Sequence, residues 1–212
     1  FKYGDQEVSA MKSRIQEVVF RVDESALVGF GHISRCYALA LAFLDVGCKV
    51  VFYCRDLRHS TRKTLEAAGI LVTNLASEGD FLQMDLSTSV VVVDGYQFGP
   101  DFWHLLSGRT GKTVCIDDFR GIPYQADIVV CYNEGLQVSQ FELTPKSKLF
   151  LGGRYLLIRP EIRYAALRAK SRRPPKAVML ATGGTQQSKW ISMMLSHLAV
   201  IEPSAQLWVL TG

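Results

Sequence analysis

Short apolar runs of two kinds alternate along this chain of 212 residues. Glu17 to Val22 is a β-branched and aromatic run closed by Asp23, and from His32 to Val46 apolar positions recur at helical spacing, which predicts a strand and then a helix. The same grammar repeats. Lys49 to Cys54 predicts a strand, His59 to Ala68 a helix, Ile70 to Asn74 a strand, and Ser89 to Asp94 a strand apolar on both faces. Pro100 to Ser107 predicts another helix, and Thr113 to Ile116 and Asp127 to Tyr132 further strands. Alternating helices and apolar strands predict a parallel sheet covered on both faces: an α/β, Rossmann-like domain over about residues 12–160.

The pattern then restarts. Arg168-Ala-Lys-Ser-Arg-Arg-Pro-Pro-Lys176 gathers cations around two adjacent prolines, which lack backbone donors and break a helix, so residues 161–176 read as a basic linker. Beyond it, Ala177 to Ala181 predicts a strand, Thr182 to Ser188 a glycine-containing loop, Lys189 to Val200 a helix and Gln206 to Leu210 a strand. One βαβ unit buries too little surface to stand alone. Residues 177–212 are therefore expected to begin a second, nucleotide-binding Rossmann-like domain that is truncated here.

Composition narrows the class. With 48% hydrophobic and 21% charged residues the chain has the balance of a globular protein, which excludes disorder. The net charge of +4 is uneven: residues 1–160 carry 17 basic and 18 acidic side chains, residues 161–212 carry 7 and 2. No aromatics interleave with the basic run, so a nucleic-acid partner is not expected. No apolar stretch approaches the ~20 residues of a membrane span, and the first domain's charge of −1 argues against a membrane-facing patch. The start lacks a signal core, Met11 reads as a natural start, and residues 1–10 as an upstream remnant. Five cysteines without a C-x-x-C pair suit buried, reduced thiols in the cytoplasm. Oligomeric state is left open.

Ligands of an open parallel sheet bind beyond the carboxyl ends of its strands, so those loops hold the candidate chemistry. After the first strand comes Gly29-Phe-Gly-His-Ile-Ser-Arg-Cys36, where Gly29 and Gly31 permit a tight turn at a helix start. It is half of a dinucleotide fingerprint. Ser34 stands where the third glycine would be, and no acidic residue closes the second strand, so no nicotinamide cofactor is expected. His32, in the first turn of the helix, is the candidate base, since a positive helix end favours neutral imidazole; a capping or core histidine is the alternative. His59, His104 and His197 have no ligand partner at i+4, and no metal site is expected. Asp94 and Tyr96 follow the fourth strand, where Tyr96 offers a ring face and a hydroxyl to a sugar or base, or else caps the core. Asp117 and Asp118 point to opposite sides of extended chain and read as capping residues. Gly183, Gly184 and Thr185 before a helix form a candidate diphosphate cradle.

Taken in order, Phe20-Arg-Val-Asp23, Gly29-Phe-Gly-His-Ile-Ser-Arg-Cys36, Val93-Asp-Gly-Tyr96, Ile116-Asp-Asp118, Tyr155-Leu-Leu-Ile-Arg-Pro-Glu161 and Gly183-Gly-Thr185 resemble the PseG family. These are UDP-2,4-diacetamido-2,4,6-trideoxy-β-L-altropyranose hydrolases of pseudaminic acid biosynthesis, related to the spore-coat polysaccharide protein SpsG. The resemblance spans about residues 17–212. It implies a two-domain glycosyltransferase-B-like fold and hydrolysis of a UDP-sugar at C1, without metal or cofactor. His32 is then the general base, Tyr96 a sugar contact, and Gly29, Gly31, Arg35 and Asp94 part of the same pocket. Gly183, Gly184 and Thr185 hold the diphosphate, and Asn133 and Arg159 match positions near the cleft. Three residues depart from the family pattern: Gly95 replaces a histidine, Gln186 an acidic residue and Lys189 a common asparagine. The rival readings are a glycosyltransferase using a hydroxyl acceptor and a binding module without catalysis.

Overall fold

The computed structural model describes residues 15–24, 30–118, 121–169, 177–181, 188–201 and 206–210. They fall into two compact units, which divide after Glu24, before His32 and after Arg159.

The first unit is built on β1 (Glu17–Val22), β2 (Lys49–Cys54), β3 (Leu71–Asn74), β4 (Leu86–Asp94), β5 (Thr110–Ile116), β6 (Ile128–Cys131) and β7 (Lys148–Leu151). Helices α1 (Gly31–Asp45), α2 (His59–Ala67), α3 (Glu78–Leu82) and α4 (Pro100–Leu106) connect the first five strands. All seven strands pair in parallel in the order β3-β2-β1-β4-β5-β6-β7. This is the predicted Rossmann-like α/β sheet, and the strand order reverses between β1 and β4, where such sheets open a crevice.

Side-chain alternation explains the two-sided core. Val18, Phe20 and Val22 of β1 pack on one face with Val50 and Phe52 of β2 and with Ile33, Cys36 and Ala40 of α1. The Phe20 and Phe52 rings stack there, 4.6 Å between centroids. Val19 points to the other face, with Val91 and Val93 of β4 and with Phe102, Trp103 and Leu106 of α4. Arg21 shares that second face and is fully buried, bound to Asp23 and to Glu78 of α3.

Several elements differ from the sequence reading, and strand β5 begins at Thr110 rather than Thr113. Helix α3 has only five residues and is set by a Ser77–Asp80 capping box rather than by apolar periodicity. Strand β7 is four residues long at the sheet edge, too short to show an alternation. Strand β4 begins at Leu86 rather than Ser89, because its register against β5 shifts between Leu86 and Val90. Gly111 of β5 lies against this irregular stretch, where an added Cβ would sit 2.9 Å from the Ser87 carbonyl oxygen and 3.0 Å from that of Ser89. Gly111→Ala is expected to lower stability by about 1–3 kcal/mol, measured by urea unfolding, because backbone atoms on both sides cannot yield cheaply.

Asp127, just before β6, accepts hydrogen bonds from the Thr113 backbone and hydroxyl and pairs with Lys112. Burial pushes its carboxyl upward, but the bonds from Lys112 and Thr113 outweigh that and hold it below the ordinary carboxylate range. A carboxyl lowered by folding stabilises fully above its unfolded value and loses that contribution as pH falls through the folded one. Urea midpoints are expected to drop below about pH 4, and less steeply in Asp127→Asn.

The second unit contains α5 (Pro160–Arg168), β8 (Ala177–Ala181), α6 (Ser188–Ile201) and β9 (Gln206–Leu210). Strands β8 and β9 pair in parallel, with Met179 opposite Trp208. No side chain described in residues 160–210 is buried. Within the expected linker over 161–176, helix α5 runs to Arg168, continuing from Pro160 at a helix's first position. Residues 170–176 and the predicted loop at 182–187 lie outside the described residues.

Candidate active site

The sheet gathers one set of polar side chains from the carboxyl ends of four strands. His32 and Arg35 lie one turn apart on α1 after β1, Asp94 ends β4, Asp118 follows β5, and Tyr132 and Asn133 follow β6. Of the glycines before His32, Gly31 opens α1 and a Cβ there would meet nothing within 4 Å of the described residues, while Gly29 lies outside them.

Asp94 is 1% exposed and organises this set. Its Oδ1 lies 2.5 Å from His32 Nδ1, and the Arg35 guanidinium grips both of its oxygens, Nε to Oδ2 and Nη2 to Oδ1, at 2.5 Å each. The Cys36 thiol donates to Oδ2 at 3.5 Å. A carboxylate only accepts and a guanidinium only donates. Nδ1 therefore carries the imidazole proton toward Asp94, and the 3.0 Å approach of Arg35 Nη2 to Nδ1 is a contact between two donors that share one acceptor. The lone pair of His32 is left on Nε2. Burial alone would make the Arg35 guanidinium easier to deprotonate, but its bonds to Asp94 and Tyr132 reverse this and hold the charge firmly. Burial and the neighbouring carboxylate push the Cys36 thiol up, so it is not a nucleophile. Asp94 and Arg35, both expected in the substrate pocket, are buried and hydrogen-bonded to one another and to their neighbours.

Tyr96 stands beside the imidazole, its ring edge-on at 4.8 Å between centroids and 88° between planes. About half of its surface is exposed, and its hydroxyl donates to Asp118 Oδ2 at 2.6 Å. Arg35 reaches both later strands as well, donating to the Tyr132 hydroxyl at 2.5 Å and lying 3.6 Å from Asp118 Oδ2. Asn133 donates to the Asp118 backbone oxygen at 3.0 Å. Asp117 faces the other way and accepts from the buried Tyr124 hydroxyl at 2.7 Å, so the two aspartates do diverge as predicted. Asp118 and Tyr132 are the site residues that sequence reasoning missed; their places immediately after strands β5 and β6 were the available signal.

Gly95 has φ +154°, and a Cβ there would lie 2.9 Å from the Phe98 ring and 2.5 Å from the Gln97 side chain. The histidine usual at this position in the resembled family would not fit this loop without moving both. Gln97 in turn donates to Asp23 at 3.0 Å, linking the loop after β4 to that after β1. Arg159 ends the first unit, directly before α5. Gly183, Gly184 and Thr185 lie outside the described residues.

A cavity of about 540 Å³ lies elsewhere, at the amino ends of β5 and β6, lined by Trp103, Tyr124 and Asp127 among others. The His32, Asp94 and Asp118 cluster lies at the opposite strand ends. Among the described residues no three His, Cys, Asp or Glu side chains form a metal-ligand group, and no helix is long and apolar enough to cross a membrane. All five cysteines are buried.

No protein-family model matches the chain. It is 29% identical over 175 residues to the UDP-2,4-diacetamido-2,4,6-trideoxy-beta-L-altropyranose hydrolase of Campylobacter jejuni, in an alignment covering 80% of this chain and 61% of that protein. The chain thus spans about three fifths of the length of the curated relative it matches.

Proposed function

We propose that this chain is a PseG-like hydrolase that cleaves a UDP-linked diacetamido-trideoxyhexose at C1, releasing UDP and the free sugar, in keeping with its similarity to the Campylobacter jejuni hydrolase. The observation that supports this reading is the buried Arg35–Asp94–His32 arrangement, which turns Nδ1 to Asp94 and so suits Nε2 to act as the base.

In the proposed step a water oxygen attacks C1 while His32 Nε2 takes its proton. The bond from C1 to the β-phosphate oxygen breaks, and its electron pair leaves with UDP. Asp94 stabilises the imidazolium that forms, and Arg35 keeps Asp94 ionised and aimed. Both are positioning residues. Tyr96, edge-on to His32 and partly exposed, contacts the sugar. Gly183, Gly184 and Thr185, ahead of α6, are the proposed diphosphate cradle within a glycosyltransferase-B-like arrangement. The step needs no metal, because the base is supplied by histidine and the leaving group is already a stable anion. The five buried thiols suit a reducing cytoplasm.

UDP release from UDP-2,4-diacetamido-2,4,6-trideoxy-β-L-altropyranose tests the assignment. His32→Ala is expected to lower it by about 100-fold or more. Release at the wild-type rate would remove His32 from the chemistry.

A further inference from the structure

The Tyr96–Asp118 pair has a polarity that the proposed reaction does not itself require. Asp118 Oδ2 accepts the phenolic proton at 2.6 Å, and its Oδ1 is buried with no hydrogen-bond partner among the described residues. Burial pushes the Asp118 carboxyl upward, but Tyr96 and the Arg35 charge outweigh this and keep it below the ordinary range, so it is ionised and only accepts. Its main chain is fixed by Asn133 and its side chain faces Arg35, so the acceptor cannot easily turn away. The bond to Asp118, helped by burial, raises the Tyr96 hydroxyl to about 12, and it therefore stays a neutral phenol with its one proton committed.

We infer that Asp118 is a specificity-determining residue: by accepting the Tyr96 O–H it leaves the phenolic oxygen to act as an acceptor, which selects a ligand N–H or O–H donor beside His32. Any ligand atom approaching that oxygen must bring the proton. This rests on the hydrolase reading for the identity of the ligand, where an acetamido N–H of the sugar is the donor selected. An ester oxygen in the same place would set two acceptors against each other. A site built on a committed hydrogen-bond partner discriminates strongly against an analogue lacking the matching group.

The test compares the diacetamido UDP-sugar with two analogues in which the acetamido N–H at C2 or at C4 is replaced by an ester oxygen. Wild type is expected to prefer the parent over at least one analogue by about 10-fold or more in kcat/KM. In Asp118→Ala the freed phenol can donate, and the preference is expected to shrink to within about 3-fold; Tyr96→Phe, which removes the oxygen, should shrink it as well. An Asp118→Ala enzyme that keeps the full preference would overturn the inference. So would a wild type with none. A second arm needs no substrate: with [13Cζ]tyrosine, the resonance missing from Tyr96→Phe should titrate above ordinary tyrosine and move down in Asp118→Ala. If no sugar releases UDP while that resonance moves as stated, the hydrolase reading fails and the pair stands, and dissociation constants for the same three ligands then decide the selectivity. An unmoved resonance would overturn the pair itself.

Discussion

Asp94→Asn is expected to slow UDP release by about 100-fold or more while changing KM only a few-fold. Asp94 serves His32 Nδ1 and two Arg35 donors, with the Cys36 thiol as a fourth neighbour. An asparagine offers one oxygen and one amino group in the same space. If the oxygen turns to Arg35, the amino group faces Nδ1, which must then become the acceptor and put the imidazole proton on Nε2. The base is lost although every side chain is still in place. If the oxygen turns to His32, the amino group faces a buried guanidinium and the arrangement opens. Steady-state kinetics of the single and double variants decide the matter, because two residues acting as one unit are strongly non-additive. His32→Ala added to Asp94→Asn should cost little more than either alone. A near-multiplicative double loss would separate the two residues.

The largest effect on stability is expected at Arg21. Its side chain is 0% exposed within the sheet and binds two carboxylates, each through the forked face of the guanidinium or its flank: Asp23 at 2.7 and 2.8 Å, and Glu78 at 2.7 and 2.9 Å. The ring of Phe98 lies 4.9 Å away and completes the enclosure. Arg21→Ala removes the cation and leaves both acids facing a cavity. Such a loss costs about 3–5 kcal/mol when the remaining charges stay buried. Asp23 and Glu78 keep 17% and 27% side-chain exposure and can partly rehydrate, which places the expected value near the lower end, about 3 kcal/mol. For a unit of this size that lowers Tm by roughly 6–12 °C. Arg21→Lys should fall in between, keeping the charge but losing the fork. Because Asp23 also accepts from the Arg55 and Asp56 backbones and from Gln97, Arg21→Ala should loosen the loops after β1, β2 and β4 together.

The central strands were legible in the sequence because burial on both faces leaves an unmistakable apolar run. β1 and β2 have the predicted bounds, and β8 and β9 do too. What escaped were elements held by something other than periodicity: α3 by its capping box, β7 by pairing at an edge, and the start of β4 by a register shift that Gly111 accommodates. The site divides along the same line. His32 and Tyr96 announce themselves by their positions after β1 and β4. Asp118 and Tyr132 do not, since their roles arise only when α1 carries Arg35 across the carboxyl ends of β5 and β6. Asp94 was legible as a residue at the end of β4, but a linear motif does not reveal that Arg35 and His32 close over it.

The most direct measurement of the central claim is hydrolysis in ¹⁸O-enriched water, with the label sought in UDP, for the wild type and for His32→Ala. Attack of a His32-activated water at C1 predicts unlabelled UDP, released without added acceptor and at a rate that collapses in the variant. Label in the UDP phosphate, release that waits for an alcohol acceptor, or a rate indifferent to His32 would contradict it.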